Sequence, residues 1–175
     1  MALRNGPGQQ PRTAVTAGSA IVAGIGHAWL GDEAFGLKVV AALRARGVPP
    51  HVELADWSFG TIAAFQRLCE GRYASAVFVA SAARERPTGV LYKHRAEDPL
   101  PPVAEIHGRI ADCVMGLVNL DNLLVIGRYY GVLPPRVMVV EAEPVDCGWG
   151  DQLSPALADL VPRAVSEILD EIRSA

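Results

Sequence analysis

The sequence lacks the features of several broad classes of protein. Its 16 Lys and Arg residues against 19 Asp and Glu residues give a net charge of −3, so no basic surface for nucleic acid or an anionic membrane is indicated. No stretch reaches the ~18 consecutive apolar residues of a membrane span. Residues 1–19 have no apolar segment typical of a secretory signal. We therefore expect a cytoplasmic protein that acts without nucleic acid or a membrane.

Cysteine is scarce, with three residues far apart in the chain. An odd number without C-x-x-C spacing indicates neither a disulfide framework nor a structural metal site. We therefore expect Cys69, Cys113 and Cys147 to be small buried residues in a reducing compartment. No G-x-S-x-G segment surrounds Ser81 or Ser154, so the sequence indicates no serine nucleophile.

Half of the 175 residues are apolar, which is enough for one domain with a substantial core. We predict a flexible tail over residues 1–19 and a single domain over residues 20–175. Apolar runs of strand length alternate with helical patterns, and this order predicts β-α-β units. The last helix is expected to begin at Pro155, with Ser154 as its N-cap. The predicted fold class is α/β, a three-layer α/β/α arrangement with a mostly parallel, twisted sheet of about five strands.

Residues 21–36, with the sequence IVAGIGHAWLGDEAFG, are the part of the chain that most strongly indicates a site. An apolar run ends in Gly24-x-Gly26, and a helical pattern begins after Gly31, so a buried strand turns sharply into a helix. Asp32 and Glu33 then lie in the first helical turn. Because ligands of parallel sheets bind beyond the carboxyl ends of the strands, this turn is a candidate site.

Two glycines after a first strand are also typical of dinucleotide-binding turns. Here Trp29 occupies the position of the third glycine, and Asp32 and Glu33 would bring negative charge to the phosphates. A carboxylate at a helix N-terminus stays ionised and suits a cation. The alternative is that both acidic residues are ordinary first-turn residues. We predict no nucleotide cofactor.

Residues 24–36 resemble the opening motif of the hydrogenase maturation endopeptidases, roughly G-x-G-N-x-L-x-x-D-E-x-x-G. Residues 133–144 resemble the last strand of that family, and residues 150–155 resemble the G-x-x-L-S-P segment before its final helix. The likeness extends over residues 20–173. The family removes a C-terminal extension from the large subunit of nickel-iron hydrogenases after nickel insertion. The resemblance therefore implies an endopeptidase, a large-subunit precursor as its partner, and nickel supplied by that substrate.

The resemblance also implies a set of metal-binding residues. Glu33 and His107 stand at ligand positions of the family, whereas Ser81 stands where the family has a metal-binding aspartate. A hydroxyl is a poorer ligand than a carboxylate, so we hypothesise that His27, at the family's Asn position, is the third ligand. Asp56 is a further candidate, either as a direct ligand or as the carboxylate that orients an imidazole. Ser81 is expected to orient a bound water, and no catalytic residue is indicated.

Other interpretations of these residues stay open at this point. His27 is equally compatible with a turn histidine bonded to the backbone, and His107 with a histidine at the start of a helix. Because of Ser81, the alternative function is that of a non-proteolytic relative, a hydrogenase-assembly binding protein. A last group of aromatic residues would either form a rim that grips the partner's C-terminal tail or pack inside the domain: Trp57, Phe59 and Trp149.

Overall fold

The computed structural model of the chain describes residues 19–58, 61–114 and 119–173. The predicted tail, apart from Ser19, lies outside the described residues, as does Phe59. The elements in chain order are β1 (Ala20–Ile25), a 3-10 helix (Gly31–Ala34), α1 (Phe35–Arg46), β2 (Val52–Trp57), α2 (Thr61–Gly71), β3 (Ser75–Ser81), β4 (Leu91–Arg95), α3 (Val103–Val114), α4 (Leu120–Tyr129), β5 (Arg136–Ala142), α5 (Pro155–Ala158) and α6 (Val161–Arg173).

The five strands form one sheet in the order β2-β1-β3-β5-β4. Val22 of β1 pairs with Leu54 of β2 on one side and with Val77 of β3 on the other, and both pairings are parallel. β5 continues the parallel sheet, while β4 pairs antiparallel with β5 at the edge. The apolar runs of the central strands fit this arrangement, because parallel strands are covered on both faces. The predicted mostly parallel sheet of about five strands is confirmed.

Helices cover both faces of the sheet and complete three layers. On one face α1 and α6 pack on the strands, with Phe35 and Ile168 fully buried beside Val22. On the other face α2 and α4 contribute buried residues such as Leu68 and Leu123. Full burial of an aliphatic or aromatic side chain stabilises a fold by about 1.5–3 kcal/mol, so these two clusters fix the layers. No helix within the described parts of the chain has the length and apolar character to cross a bilayer.

The last helix differs from the prediction. Instead of one helix from Pro155 onward, the chain forms the four-residue α5, a turn at residues 159–160, and then α6. Pro162 explains the break, because in a continuous helix its ring would clash with the carbonyl group of Ala158, four residues earlier. Ser154 occupies the predicted N-cap position of α5, although its side chain forms no capping hydrogen bond there.

Candidate functional site

The candidate site lies beyond the carboxyl ends of β1 and β3. The strand that follows β1 in the chain, β2, lies on one side of β1, and the next strand, β3, lies on the other side. The strand order therefore changes direction between β1 and β3. Open parallel sheets form a crevice at such a point. The turn that follows β1 contains His27 and Glu33, and β3 ends at Ser81. Three of the sequence-predicted residues are therefore on neighbouring segments.

Glycine is required where the turn folds back on itself. A Cβ atom on Gly26, whose φ is +147°, would lie 1.8 Å from the carbonyl oxygen of Glu33. A Cβ atom on Gly36 would lie 2.0 Å from the carbonyl oxygen of Val79 in β3. Both spacings are far inside van der Waals contact. The glycines of the motif therefore let the backbone around Glu33 and the start of α1 approach the strand ends closely.

His27 and Glu33 form a direct hydrogen bond in this turn. The imidazole Nδ1 donates to Glu33 Oε2 at 2.6 Å. The His27 side chain is 29% exposed and the Glu33 side chain is 35% exposed, so the pair is accessible from outside. This bond replaces the interpretation of His27 as a turn histidine bonded to the backbone. It also puts one nitrogen donor and one oxygen donor at the same point.

The pair opens into a cavity of about 200 Å³ between the strand ends and two later segments of the chain. The residues that line it come from the β1 turn, from the end of β3, and from the segments before α4 and after β5: Ile25, Gly26, His27, Glu33, Ala80, Ser81, Ala83, Asn119, Leu120, Pro144 and Cys147. Ser81 thus lies in the same cavity as the histidine–carboxylate pair, and its role as a neighbour of a metal site stays a prediction.

Asp32 is fully buried and binds backbone N–H groups of a distant loop. Its Oδ2 accepts from Val145 N at 2.8 Å and from Asp146 N at 3.0 Å, and its Oδ1 accepts from Ser154 N at 2.7 Å. Burial raises the pKa of this carboxyl, but the N–H donors outweigh burial, and the pKa is lowered overall. Asp32 therefore holds the loop of residues 145–154 in place from a buried position. This role differs from that of an ordinary first-turn residue on the surface of a helix.

The segment from residue 145 to residue 154 is held against the β1 turn by further backbone hydrogen bonds. Gly150 N donates to Trp29 O at 2.9 Å, and Gly31 N donates to Gly150 O at 3.0 Å. Leu30 and Gly150 form an isolated parallel bridge. With Asp32, these bonds fix the loop that brings Cys147 to the cavity.

The loop after β3 is fixed by two buried carboxylates. Arg84 and Arg86 donate to the two oxygens of Glu141, which is fully buried, at 2.7 and 2.8 Å. Glu143 accepts from the backbone N of Arg84 at 2.8 Å and from that of Glu85 at 3.0 Å. Burial raises the pKa of Glu143, but these donors prevail and lower the pKa. The backbone next to Ser81 is therefore firmly positioned.

His107 and Asp56 lie apart from this pair. His107 is exposed on α3 and is not among the residues that line the cavity. Asp56 is exposed near the end of β2, where its Oδ1 accepts from Ser58 N at 3.0 Å and stabilises the turn. Within residues 19–58, 61–114 and 119–173, no group of three or more His, Cys, Asp or Glu side chains is arranged to hold a metal ion. The ligand set of Glu33, His107 and His27 stays a prediction.

Of the two alternatives for the aromatic residues, Trp57 follows the second and packs inside the domain: it is 6% exposed and its ring lies on Phe78 with centroids 5.7 Å apart, whereas Trp149 is exposed. The expectation for the cysteines is wrong in part. Cys69 and Cys147 are exposed, so only Cys113 is the small buried residue expected of all three cysteines. In both cases contacts with distant parts of the fold decide how far the side chain is buried. A local sequence pattern carries no information about such contacts.

Cys147 is the site residue that sequence reasoning missed. Although the residue as a whole is exposed, partial desolvation of its sulfur raises the pKa of the thiol, and the nearby carboxylates of Glu33, Asp32 and Asp146 raise it further. The thiol therefore stays protonated at neutral pH and is a weak nucleophile. The available signal was its position three residues after Pro144, at the end of the segment that resembles the family's last strand.

Comparison with protein-family profiles and with curated proteins finds no match for this chain. Solved structures do match. A hydrogenase 2 maturation peptidase from a Thaumarchaeota archaeon is 25% identical, with 88% of this chain and 97% of that chain covered and a TM-score of 0.60. The hydrogenase maturating endopeptidase HybD from E. coli is 20% identical, with 89% and 93% covered and a TM-score of 0.68.

A third solved structure agrees with these two. The [NiFe] hydrogenase maturation protease HycI from Thermococcus kodakarensis is 16% identical, with 91% of this chain and 96% of that chain covered and a TM-score of 0.69. Each of the three is covered over nearly its whole length, so the similarity concerns the complete domain. The chain thus has the fold of the hydrogenase maturation peptidases, and the resemblance to that family indicated by its sequence motifs is confirmed.

Proposed function

We propose that the protein is a cytoplasmic endopeptidase that recognises the nickel-loaded large subunit of a nickel-iron hydrogenase and removes its C-terminal extension. The observation that carries the proposal is the contact between His27 and Glu33 in a cavity at the carboxyl edge of β1 and β3. That contact lies in the segment whose motif resembles the family. The similarity to solved maturation peptidases over the whole domain supports the same function.

The chemistry of the pair supports recognition of a nickel ion held by the substrate. The Glu33 carboxylate and the His27 imidazole supply oxygen and nitrogen donors that suit Ni²⁺. Both side chains are about one-third exposed, so an ion carried by the large subunit reaches them without rearrangement of the core. A divalent ion at such a site polarises a carbonyl group or activates a water.

The number of donors also favours an ion that arrives with the substrate. Resident transition-metal sites in proteins use about three or four protein ligands. In the described parts of the chain, the cavity offers one histidine and one carboxylate in contact. An ion that already has ligands from the large subunit needs only such a partial set. In this proposal the third predicted ligand, His107 on α3, contacts the ion only in the complex with the substrate.

The neighbours of the pair have separate roles in this proposal. Ser81 lines the cavity and offers a hydroxyl that orients a water or the scissile carbonyl. Asp32 positions the loop around Cys147 and does not contact the substrate, because it is fully buried. Nickel is part of the substrate here, and no nucleotide takes part.

Cleavage of a precursor tests the proposal directly. The purified protein is incubated with a nickel-loaded large-subunit precursor, and the intact mass of the precursor is measured over time. We expect the mass to fall by that of the C-terminal extension. The same precursor without nickel is the control and is expected to stay intact. A precursor that keeps its mass and forms no complex would contradict the proposal.

Substitutions at the pair connect the cleavage to the cavity. Glu33→Gln keeps the size of the side chain and removes its charge, so cleavage is expected to slow at least about 100-fold. Asp159→Asn removes a carboxylate that is exposed after α5, and its cleavage rate is expected to be unchanged. His27→Ala is expected to weaken Ni²⁺ binding, measured by titration calorimetry. Unchanged Ni²⁺ affinity would remove His27 from the ligand set.

Ser81 favours one second candidate, a hydrogenase-assembly binding protein without proteolytic activity. It stands where the family has a metal-binding aspartate, and it lies in the cavity beside Glu33. In that case the nickel-loaded precursor would form a stable complex and keep its mass. Ser81→Asp would then be the informative variant, because cleavage gained by this change would show that one lost ligand separates the two functions.

A further inference from the structure

We propose that Trp29 and Trp149 form a docking surface for an extended, positively charged segment of the substrate polypeptide. This inference rests on the proposed function, since it names the part of the protein that holds the chain to be cleaved. Trp29 is 56% exposed and Trp149 is 85% exposed, whereas the third tryptophan, Trp57, is buried. Within the described residues neither exposed indole stacks on another aromatic ring.

Exposed indoles are costly in water and are enriched at binding hot spots. The two segments that carry them are joined by the hydrogen bond from Gly150 N to Trp29 O, at 2.9 Å, and by the bridge between Leu30 and Gly150. Asp32, three residues after Trp29, also accepts hydrogen bonds from backbone N–H groups on both sides of Trp149. Because the backbone beneath both indoles is already fixed, a ligand pays little ordering cost when it binds there.

The position of the indoles connects them to the cavity. Trp29 follows His27 by two residues, and Trp149 follows Cys147 by two residues. His27 and Cys147 both line the cavity at the carboxyl edge of the sheet. A polypeptide that lies over the two indoles is therefore adjacent to the histidine–carboxylate pair. This is the placement that a protease needs for the residues flanking a scissile bond.

The charge of the two segments that carry the indoles indicates the chemistry of the occupant. Residues 26–34 and 143–152 contain no Lys or Arg. Asp146 and Asp151 are exposed, and within the described residues neither forms an ion pair. An arginine or lysine in the bound segment gains a cation–π contact with an indole and an attractive carboxylate nearby. An acidic segment would be repelled from the same surface.

Tryptophan fluorescence gives a direct binding assay with two probe peptides. Acetyl-Leu-Arg-Val-Arg-Leu-amide is expected to shift the emission to shorter wavelength as it covers the exposed indoles. Acetyl-Leu-Glu-Val-Glu-Leu-amide, the charge-reversed counterpart, is expected to bind at least about tenfold more weakly. Asp151→Lys leaves both indoles in place and should weaken binding of the arginine peptide. Equal binding of the two peptides, or no shift with either, would overturn the inference.

Kinetics with the nickel-loaded precursor test the surface in its functional setting. The double variant Trp29→Ala/Trp149→Ala is expected to raise KM at least about tenfold and to leave kcat within about twofold. Tyr130→Ala is the matched control, because Tyr130 is an exposed aromatic residue at 58% that follows α4, and its KM should be unchanged. Circular dichroism confirms that each variant is folded, and Trp29→Phe with Trp149→Phe offers a milder pair that should raise KM less.

The outcomes separate this inference from the proposed function. If the wild-type protein cleaves the precursor and the double variant keeps its KM, the docking surface is wrong and the function stands. If the precursor is neither bound nor cleaved but the arginine peptide binds through Trp29 and Trp149, the function is wrong and the docking surface stands. If neither the precursor nor the peptide binds, both are wrong.

Discussion

Asp32 is the residue at which burial and hydrogen bonding oppose each other most clearly. Its side chain has no exposed surface, and an isolated buried carboxylate would be strongly destabilising. Backbone N–H groups of Val145, Asp146 and Ser154 all donate to it. These charge-assisted bonds offset the desolvation of the carboxylate. The carboxylate next to Glu33 therefore supports the fold around the site.

Asp32→Asn is expected to lower the free energy of unfolding by about 2 kcal/mol, measured by urea denaturation. The amide has the shape of the carboxylate but carries only one acceptor oxygen, so at least one N–H group loses its partner and faces the amide NH₂. Asp159→Asn is the matched control and should change stability by less than about 0.5 kcal/mol. Equal stability of the two variants would contradict the anchoring role.

A comparison of wild type with Asp32→Asn also tests how stability depends on pH, because the lowered pKa of Asp32 fixes the direction of the expected change. Because the pKa of Asp32 is lowered in the folded state, its contribution to stability is fully present above the ordinary aspartate pKa. That contribution is lost as the pH falls through the lowered pKa. The stability difference between wild type and Asp32→Asn should therefore shrink in acid and be largest near neutral pH. A difference that grows on acidification would contradict the lowered pKa.

The sequence predicted part of the site at the residue scale. Glu33, His27 and Ser81 share one cavity, as their places at strand ends indicate, because parallel strands bring their carboxyl ends to one edge. The role of Asp32 was not predictable, since its partners lie 113 to 122 residues away in the chain and are backbone groups without a sequence signature. Cys147 was missed although it follows Pro144 by three residues, because the loop that brings it to the cavity is held by these same distant contacts.

At the scale of elements, α1 depends on glycine at its first turn. Gly36 lies against β3, where an added Cβ would be 2.0 Å from the carbonyl oxygen of Val79. The backbone of a buried strand cannot move away cheaply, because its hydrogen bonds hold it within the sheet. The close packing of α1 on β3, which brings the preceding turn to the cavity, is therefore possible only without a side chain at this position.

Gly36→Ala is accordingly expected to destabilise the protein by at least about 2 kcal/mol, measured as the free energy of unfolding in urea. Gly108→Ala is the matched control, because Gly108 lies in α3 and an added Cβ would meet nothing within 4 Å. Alanine is favoured over glycine in a helix interior, so this change should stabilise by about 0.5–1 kcal/mol. Stabilisation by both changes would contradict the close approach of α1 to β3.

Element type was more predictable than element boundaries. The uninterrupted apolar runs of β1 and β3 indicated central strands, and their burial confirms it. The break between α5 and α6 was predictable in principle from Pro162, but the apolar stripe on both sides continues through it. The stripe indicates which face is buried and does not indicate whether the backbone is continuous.

At the scale of the whole molecule, the sheet distributes stability unevenly. β1, β3 and β5 each have neighbours on both sides, whereas β2 and β4 form the edges. Phe78 and Val139 are fully buried partners in the centre of the sheet. Lys93 of β4 is exposed. Local opening should therefore release the edge strands before the central ones.

Native-state hydrogen exchange checks this order. The backbone amides of Phe78 and Val140, which lie in the ladder between β3 and β5, are expected to exchange roughly 100-fold more slowly than that of His94, an exposed residue of β4, because the central amides need near-global unfolding to reach water. Exchange is followed by NMR at constant pH and temperature. Similar rates for all three amides would show that the domain opens as one unit and would contradict a weaker edge.

The hydrogen bonds of Asp32 have a consequence for the order of synthesis. The acidic residue leaves the ribosome early, but the N–H groups that satisfy it are translated 113 to 122 residues later. Until then the carboxylate must stay hydrated, and the loop that completes the cavity does not exist. A nascent chain of this protein therefore cannot complete the cavity around His27 and Glu33 until the segment up to Ser154 has been translated.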